Sequence, residues 1–357
     1  MKHPYAGLPP HHFWNKAVAP VEYKAIDFLP APKFMLHGSR KIATAGSCFA
    51  QNIARHLKKT GNAYFDAEPR HPVMDEEYGT RNGYGVFSAR FGNIYTVRQL
   101  LELMQQAFGV IAPIYDFHTE GEFAYDLLRP SVQADGFSSI EEAKADRDYH
   151  LSRVKKLFLE CDVFVFTLGL TESWMNVEKG YVYPSCPGTS RGVYDPKLHQ
   201  FRNFSYEECR DNLSKFLKAL AEVNPTCKVL LTVSPVALAA TFEKQNVLVA
   251  TSYSKSVLRA VCGDAEAHFE NVLYFPSYEI ISSACSFGHY LSKDMREANA
   301  QGVDHVMECF SRTLYPLGTG QEPAKAEAPV QRNGVELGRA LLQAECDEMF
   351  NNPDAKR

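Results

Sequence analysis

The sequence predicts an α/β protein built on a five-stranded parallel sheet with helices on both faces. Three observations carry this. Short apolar runs recur through the chain, and each is followed by a segment with helical spacing of its apolar residues. The runs read as uniformly apolar rather than alternating, as strands covered on both faces do. With 357 residues, 45% hydrophobic and 22% charged, the chain has enough apolar material for a full core, which excludes wholesale disorder.

Taken in order, residues 1–40 are rich in proline and aromatics (Pro4, Pro9, Pro10, Trp14, Pro20, Pro30, Pro32) and read as an arm packed over the main domain, which spans 41–315. Lys41 to Ala45 is the first strand. Gly46 breaks it, and Phe49 to Lys59 is helical, with Phe49, Ile53 and Leu57 four apart. Asn62 to Phe65 fits a second strand. Residues 66–95 read as loop. Thr96 is an N-cap with Gln99 at the capping-box position. Residues 110–134 resemble an irregular insertion, and a helix near 139–160 leads into the apolar strand Val163 to Phe166. A long loop covers 168–204, followed by a helix at 205–222 and a strand from Lys228 to Val233. A helix spans 246–261, a fifth strand runs from Asn271 to Phe275, and a closing helix spans 300–312. Residues 316–332 read as a linker, and 333–350 as an appended amphipathic helix within a 333–357 tail. Parallel sheets bind ligands at the carboxyl ends of their strands. Segments 46–50, 66–95, 168–204 and 276–298 are therefore expected on one rim.

Composition excludes other classes. A formal charge of −4 gives no bulk attraction for nucleic acid or an anionic membrane. The nearest cysteines, Cys209 and Cys227, are 18 residues apart, so no CxxC pair is present for zinc or redox work. The nine cysteines read as small buried hydrophobes in a reducing, cytoplasmic compartment. No apolar run reaches membrane-span length. A G-x-S-x-G elbow, a Walker A loop and a dinucleotide fingerprint are all missing, so no cofactor is expected, and no paired-histidine spacing points to a metal.

The sharpest local feature is Gly46-Ser47-Cys48-Phe49-Ala50. A nucleophile at such a strand-to-helix turn stands where backbone amides and the helix dipole favour a developing oxyanion. A serine N-cap followed by a buried cysteine explains the same letters. Gly46-Ser-Cys-Phe-Ala50 is also the signature of the GSCFA family, and the chain resembles that family further. The similar stretches are Phe87 to Thr96, Val165 to Trp174, Tyr183 to Gly188, Leu231 to Pro235, Ser252 to Arg259 and Tyr274 to Glu279. The family is grouped with the SGNH/GDSL esterases and acyltransferases. The resemblance implies a flavodoxin-like three-layer α/β/α sandwich.

Laid on the Gly-Asp-Ser of SGNH enzymes, Gly46-Ser47-Cys48 puts the nucleophile at Cys48; a shift by one residue puts it at Ser47. The oxyanion block resembles Gly169-Leu170-Thr171-Glu172, with Thr171 a donor and Asn93 a possible second amide. Asp294-Met-Arg-Glu297 corresponds to Asp-x-x-His, with Glu297 in the histidine's place. A base is therefore sought at His199, His305 or His289, with Asp294 orienting it. On its helix His305 lies opposite Val303, Val306, Met307 and Phe310, and is expected to face outward. Lys255 and Arg259, one helical turn apart, hold an anionic substrate or form a solvated face. The implied function is an acyl esterase or O-acyltransferase acting on an acylated small molecule or glycan. The alternative is a non-catalytic binding protein on a degenerate SGNH scaffold.

Overall fold

The computed structural model describes residues 3–36 and 41–315. The expected linker at 316–332 and helix at 333–350 lie outside the described residues.

Four parallel strands form the central sheet: β1 (Ile42–Gly46), β4 (Val163–Leu168), β8 (Lys228–Val233) and β9 (Val272–Tyr274), adjacent in that order. Residue 42 pairs with 163, and 163 with 228, so the strands start level. The uniformly apolar runs are buried on both faces, as their composition requires. The expected second strand is a correction. Residues 62–65 reduce to one bridge, Ile42 to Tyr64, held by Ile42 N–H to the Ala63 carbonyl (2.8 Å) and Phe65 N–H to the Ile42 carbonyl (2.9 Å). The segment still lies beside β1, on the edge away from β4.

Helices cover both faces. On one side α4 (Val97–Ala107), α5 (Ile140–Glu160), α6 (Tyr206–Val223) and α7 (Val247–His268) pack on Phe164, Phe166, Leu231 and Tyr274. On the other, α2 (Ala50–Lys59), α8 (Ser277–Ser282) and α9 (Ala300–Leu314) pack on Val165, Leu230 and Leu273. The caps fall where the sequence signals them. Thr96 accepts from Gln99 N–H, Ser139 from Glu142 N–H, and Ser205 with Glu208 completes a capping box. Residues 3–36 hold only short helices and turns, among them α1 (Trp14–Ala17), and the part from Tyr23 to Leu36 lies against the α8–α9 side. There Tyr23 donates to the Ile280 carbonyl (2.7 Å) and Leu36 N–H to the Leu314 carbonyl (2.9 Å).

The segments read as loop carry more order than expected. Residues 66–95 contain α3 (Glu76–Arg81), capped by Asp75. The 110–134 insertion contains a hairpin, β2 (Phe117–Glu120) with β3 (Phe123–Asp126). The 168–204 segment folds into an antiparallel sheet, β5 (Glu172–Asn176) between β6 (Val182–Tyr183) and β7 (His199–Asn203). The first two of these pieces are fastened to α5 by a buried charge network. Arg90 meets Asp146 (2.6 Å), Arg129 meets Asp126 and Asp146 (2.8 Å each), and His150 meets Glu68 (2.7 Å). Each buried charge there has an opposite partner, as burial demands.

Candidate functional site

A cavity of about 210 Å³ opens at the carboxyl end of the sheet. Its floor comes from the turns after three strands: Ser47 and Cys48 after β1, Gly169 and Leu170 after β4, and Ser234 after β8. Tyr95 and Arg296 add to the wall, so each of the four expected rim segments contributes. A fifth segment, 234–242, closes the far side and was not expected there. Its Ala237 N–H donates to the Arg296 carbonyl (3.2 Å), which ties it to the loop after α8.

Two glycines make the floor possible. Gly46 has φ +143°, and a Cβ there would stand 2.5 Å from the Thr167 carbonyl oxygen of the neighbouring strand. A Cβ on Gly169 would meet the Tyr95 carbonyl at 3.0 Å. That carbonyl accepts from both Gly169 N–H and Leu170 N–H (3.0 Å each).

Cys48 is partly exposed, whereas Ser47 is buried. The thiol stands before the first turn of α2, a helix end with no side-chain cap and no acidic residue. Lys255 reaches the same floor from the third turn of α7. It is 1% exposed, and its Nζ donates to the Gly169 carbonyl (2.6 Å). Burial pushes its ammonium down from 10.5 to about 7, Cys48 draws it back up, and the Arg296 charge pushes it further down. A buried amine beside a cysteine in a cleft is the kind of perturbed group that functional sites collect. The helix expected over 246–261 extends to His268, and Lys255 faces inward with Ser254 and Leu258 rather than to solvent.

Much of the rest of the wall is apolar, with Glu172 and Thr241 among the polar exceptions. Trp174 on β5 packs edge to face with Phe201 on β7 and with Phe242, and those two rings are tilted against each other, with centroids 5.1 to 5.8 Å apart. The family model for GSCFA matches residues 41–310. The chain belongs to the GSCFA family. Among solved structures, the GSCFA chain is similar to a candidate GDSL-like lipase from Parabacteroides merdae ATCC 43184. The two share 16% identity over 43% of this chain with a TM-score of 0.26, and the match spans 60% of that structure's length. No curated protein matches the chain.

Within this GSCFA fold the other expected residues divide. Gly169 and Glu172 line the cavity, and burial raises the Glu172 carboxyl, which accepts from the Thr241 hydroxyl (2.7 Å). Thr171 points away: its hydroxyl donates to Asn203 (2.7 Å) and its N–H to Ser254 (3.0 Å). Asn93 is buried beneath the wall, where its carbonyl accepts from the Gln99 side chain (2.8 Å). Arg259 lies outside the cavity, paired with Glu279 (2.6 Å) and stacked on Tyr274.

No histidine is among the lining residues. His199 opens β7, takes the Asp195 N–H on Nδ1 (3.0 Å) and packs on Tyr183. His305 does not face outward as expected. It is 2% exposed, because the arm covers that side of α9 and sets Tyr23 and Phe28 against the ring. His289 is exposed in the loop after α8. Asp294 is also exposed; it accepts from Arg296 N–H (3.0 Å) and Glu297 N–H (3.3 Å), and so shapes the loop that presents Arg296. The residues that sequence reasoning missed are Lys255 as a floor residue, Arg296 and the aromatic wall. A signal for Lys255 existed: it falls in register with Leu258 and Cys262 on the buried stripe of its helix.

Proposed function

We propose that this chain is an acyl hydrolase or acyltransferase in which Cys48 is the nucleophile and Lys255 its general base. The observation that supports the reading is the buried amine of Lys255 beside Cys48 on the floor of the one cavity whose wall is largely apolar among those described. With its pKa about 7, Lys255 is half neutral near neutral pH, the range in which a base works best. Neutral Nζ takes the thiol proton of Cys48. The thiolate sulfur bonds to the acyl carbonyl carbon, and the carbonyl π pair moves to oxygen. That oxyanion meets the positive end of α2. When the oxygen pair returns, the bond to the leaving oxygen breaks, and the Lys255 ammonium returns the proton to it. The thioester on Cys48 is then opened by water or an alcohol, whose proton passes through Lys255 and ends on the thiol. The Gly169 carbonyl holds Nζ in place throughout.

Cys48 is favoured over Ser47 by its exposure to the cavity. The test is a panel of simple esters and thioesters with wild type, Cys48→Ala, Ser47→Ala and Lys255→Met. The reading expects Cys48→Ala to lose about a thousandfold or more, Lys255→Met to lose about a hundredfold or more, and Ser47→Ala to lose less than either. Equal turnover by Cys48→Ala and wild type sinks it. The absence of a histidine from the lining favours the second reading, a ligand-binding scaffold, and a chain inert toward the whole panel would support that one.

A further inference from the structure

Cys48 borders two cavities, one mainly apolar and one more polar. The first is the chamber just described. The second is a groove of about 50 Å³ on the other side of the thiol, along α2 and the loop before α9, and it shares only Cys48 and Val236 with the chamber. Its polar side chains are Gln51, Asn52, Arg55 and Glu297. Arg55 donates to the side-chain Oδ1 of Asn52 (2.5 Å). Gln51 is 7% exposed, and its buried side-chain Nε2 has no hydrogen-bond partner among the described residues. A buried amide donor left without a partner costs free energy unless something fills its place. The chamber is the more apolar of the two: Trp174, Phe201, Phe242, Leu238 and Ala240 surround its opening with Glu172 and Thr241 among them, whereas in the groove Phe49, Ala298 and Val303 interrupt the polar groups.

We infer that the thiol sits on the border of a divided substrate site: the apolar chamber takes the acyl chain, of medium length and without charge, and the polar groove takes a hydroxyl-rich acceptor. This rests on the Cys48 reading above. An acyl carbon bonded to sulfur must point its chain to one side and receive its acceptor from another. The chamber is the larger space, and its wall suits methylenes. The groove is bordered by amide, guanidinium and carboxylate side chains, groups that hydrogen-bond to hydroxyls. Transfer then balances as thioester plus alcohol giving ester plus thiol, with no outside reactant.

The test uses the full chain and p-nitrophenyl esters from acetyl to decanoyl. p-Nitrophenolate release gives the acylation rate, and intact mass gives the adduct. Burial of each methylene is worth roughly fourfold, so acylation is expected to climb at least about tenfold from acetyl to octanoyl. Ala240→Phe, which fills the chamber, is expected to lower octanoyl acylation about tenfold more than acetyl. With glycerol added, Arg55→Ala and Gln51→Leu are expected to lower the partition into glyceryl ester, relative to hydrolysis, about threefold or more, while moving the acylation rate less. Rates flat in chain length, equal losses for acetyl and octanoyl in Ala240→Phe, or an unmoved partition would overturn the division. If no ester acylates Cys48, the reading of the previous subsection fails instead. The chamber is then decided by titrating octanoate into Trp14→Phe and following Trp174 emission. A saturable change that Ala240→Phe abolishes sustains the chamber as an acyl site, and no change overturns it.

Discussion

Replacing Lys255 by methionine keeps the volume of the side chain and removes its charge. In the folded chain the amine is held at about 7 against 10.5 when exposed. At about 1.4 kcal/mol for each factor of ten in proton affinity, that difference is roughly 5 kcal/mol against the folded state at a pH below about 7, where the amine is charged in both states. The sign follows from the protons bound. Between about pH 7 and 10.5 the unfolded chain holds a proton that the folded chain has lost, so wild-type stability rises with pH across that window. Below about 7 both states are protonated and the penalty is complete. Integrated from pH 7 to 9, the gain is about 2 kcal/mol relative to a variant without the group. The assay is urea unfolding of wild type and Lys255→Met at half-unit steps from pH 6 to 9. Other titrating groups act on both chains and cancel in the difference. The variant should be the more stable at pH 6, less the cost of losing the Gly169 hydrogen bond, and its advantage should shrink by about 3 kcal/mol by pH 9. Parallel curves would show that Lys255 keeps an ordinary pKa and would remove the physical basis for its role as base.

Further expectations follow from the same geometry. The pH–rate profile for acylation should rise through about 7 in wild type and lose that limb in Lys255→Met; a limb that survives points to another base. His199→Ala and His305→Ala should keep acylation within about threefold of wild type, because neither ring lines the cavity. His305→Ala should still lower the urea midpoint, by about 1–3 kcal/mol of stability, because it leaves a void beneath Tyr23 and Phe28. Gly46→Ala should be worse, at about 3 kcal/mol or more, since its Cβ meets strand backbone at 2.5 Å; a folded variant of wild-type stability would contradict the close approach of β1 and β4. Asp126→Asn strips the buried Arg129 of one of its two close carboxylates and should cost about 3–5 kcal/mol in the same assay.

The sheet was legible because Val163 to Phe166 and Lys228 to Val233 are long, apolar and flanked by capped helices. Residues 62–65 misled because a strand-like composition cannot say whether a second ladder forms: Tyr64 pairs with Ile42 at a single position. The antiparallel sheet at 172–203 was hidden by Pro184, Pro187, Gly188 and Gly192, which mark its connections as loop while β5 and β7 pair across them. Cys48 was visible because a strand, a glycine and a helix fix its place. Its partner was not, because contact between residues 48 and 255 is set by the packing of α7 on the sheet. The search for a histidine followed a spacing carried over from related enzymes, and in this chain the floor beside the thiol is occupied by an amine. His305 failed for another reason. Helical periodicity shows which face meets the sheet, but the arm from a distant part of the chain buries the opposite face as well.

The most direct test of the central claim is to trap the acylated chain. Incubation with p-nitrophenyl octanoate, acid quench and peptide mapping should place one acyl group on the peptide bearing Cys48, as a hydroxylamine-labile thioester. The adduct should form more slowly as the pH falls below about 7, and far more slowly in Lys255→Met. An acyl group found on Ser47 or elsewhere, or formed on Cys48 at the same rate with and without Lys255, would contradict the account.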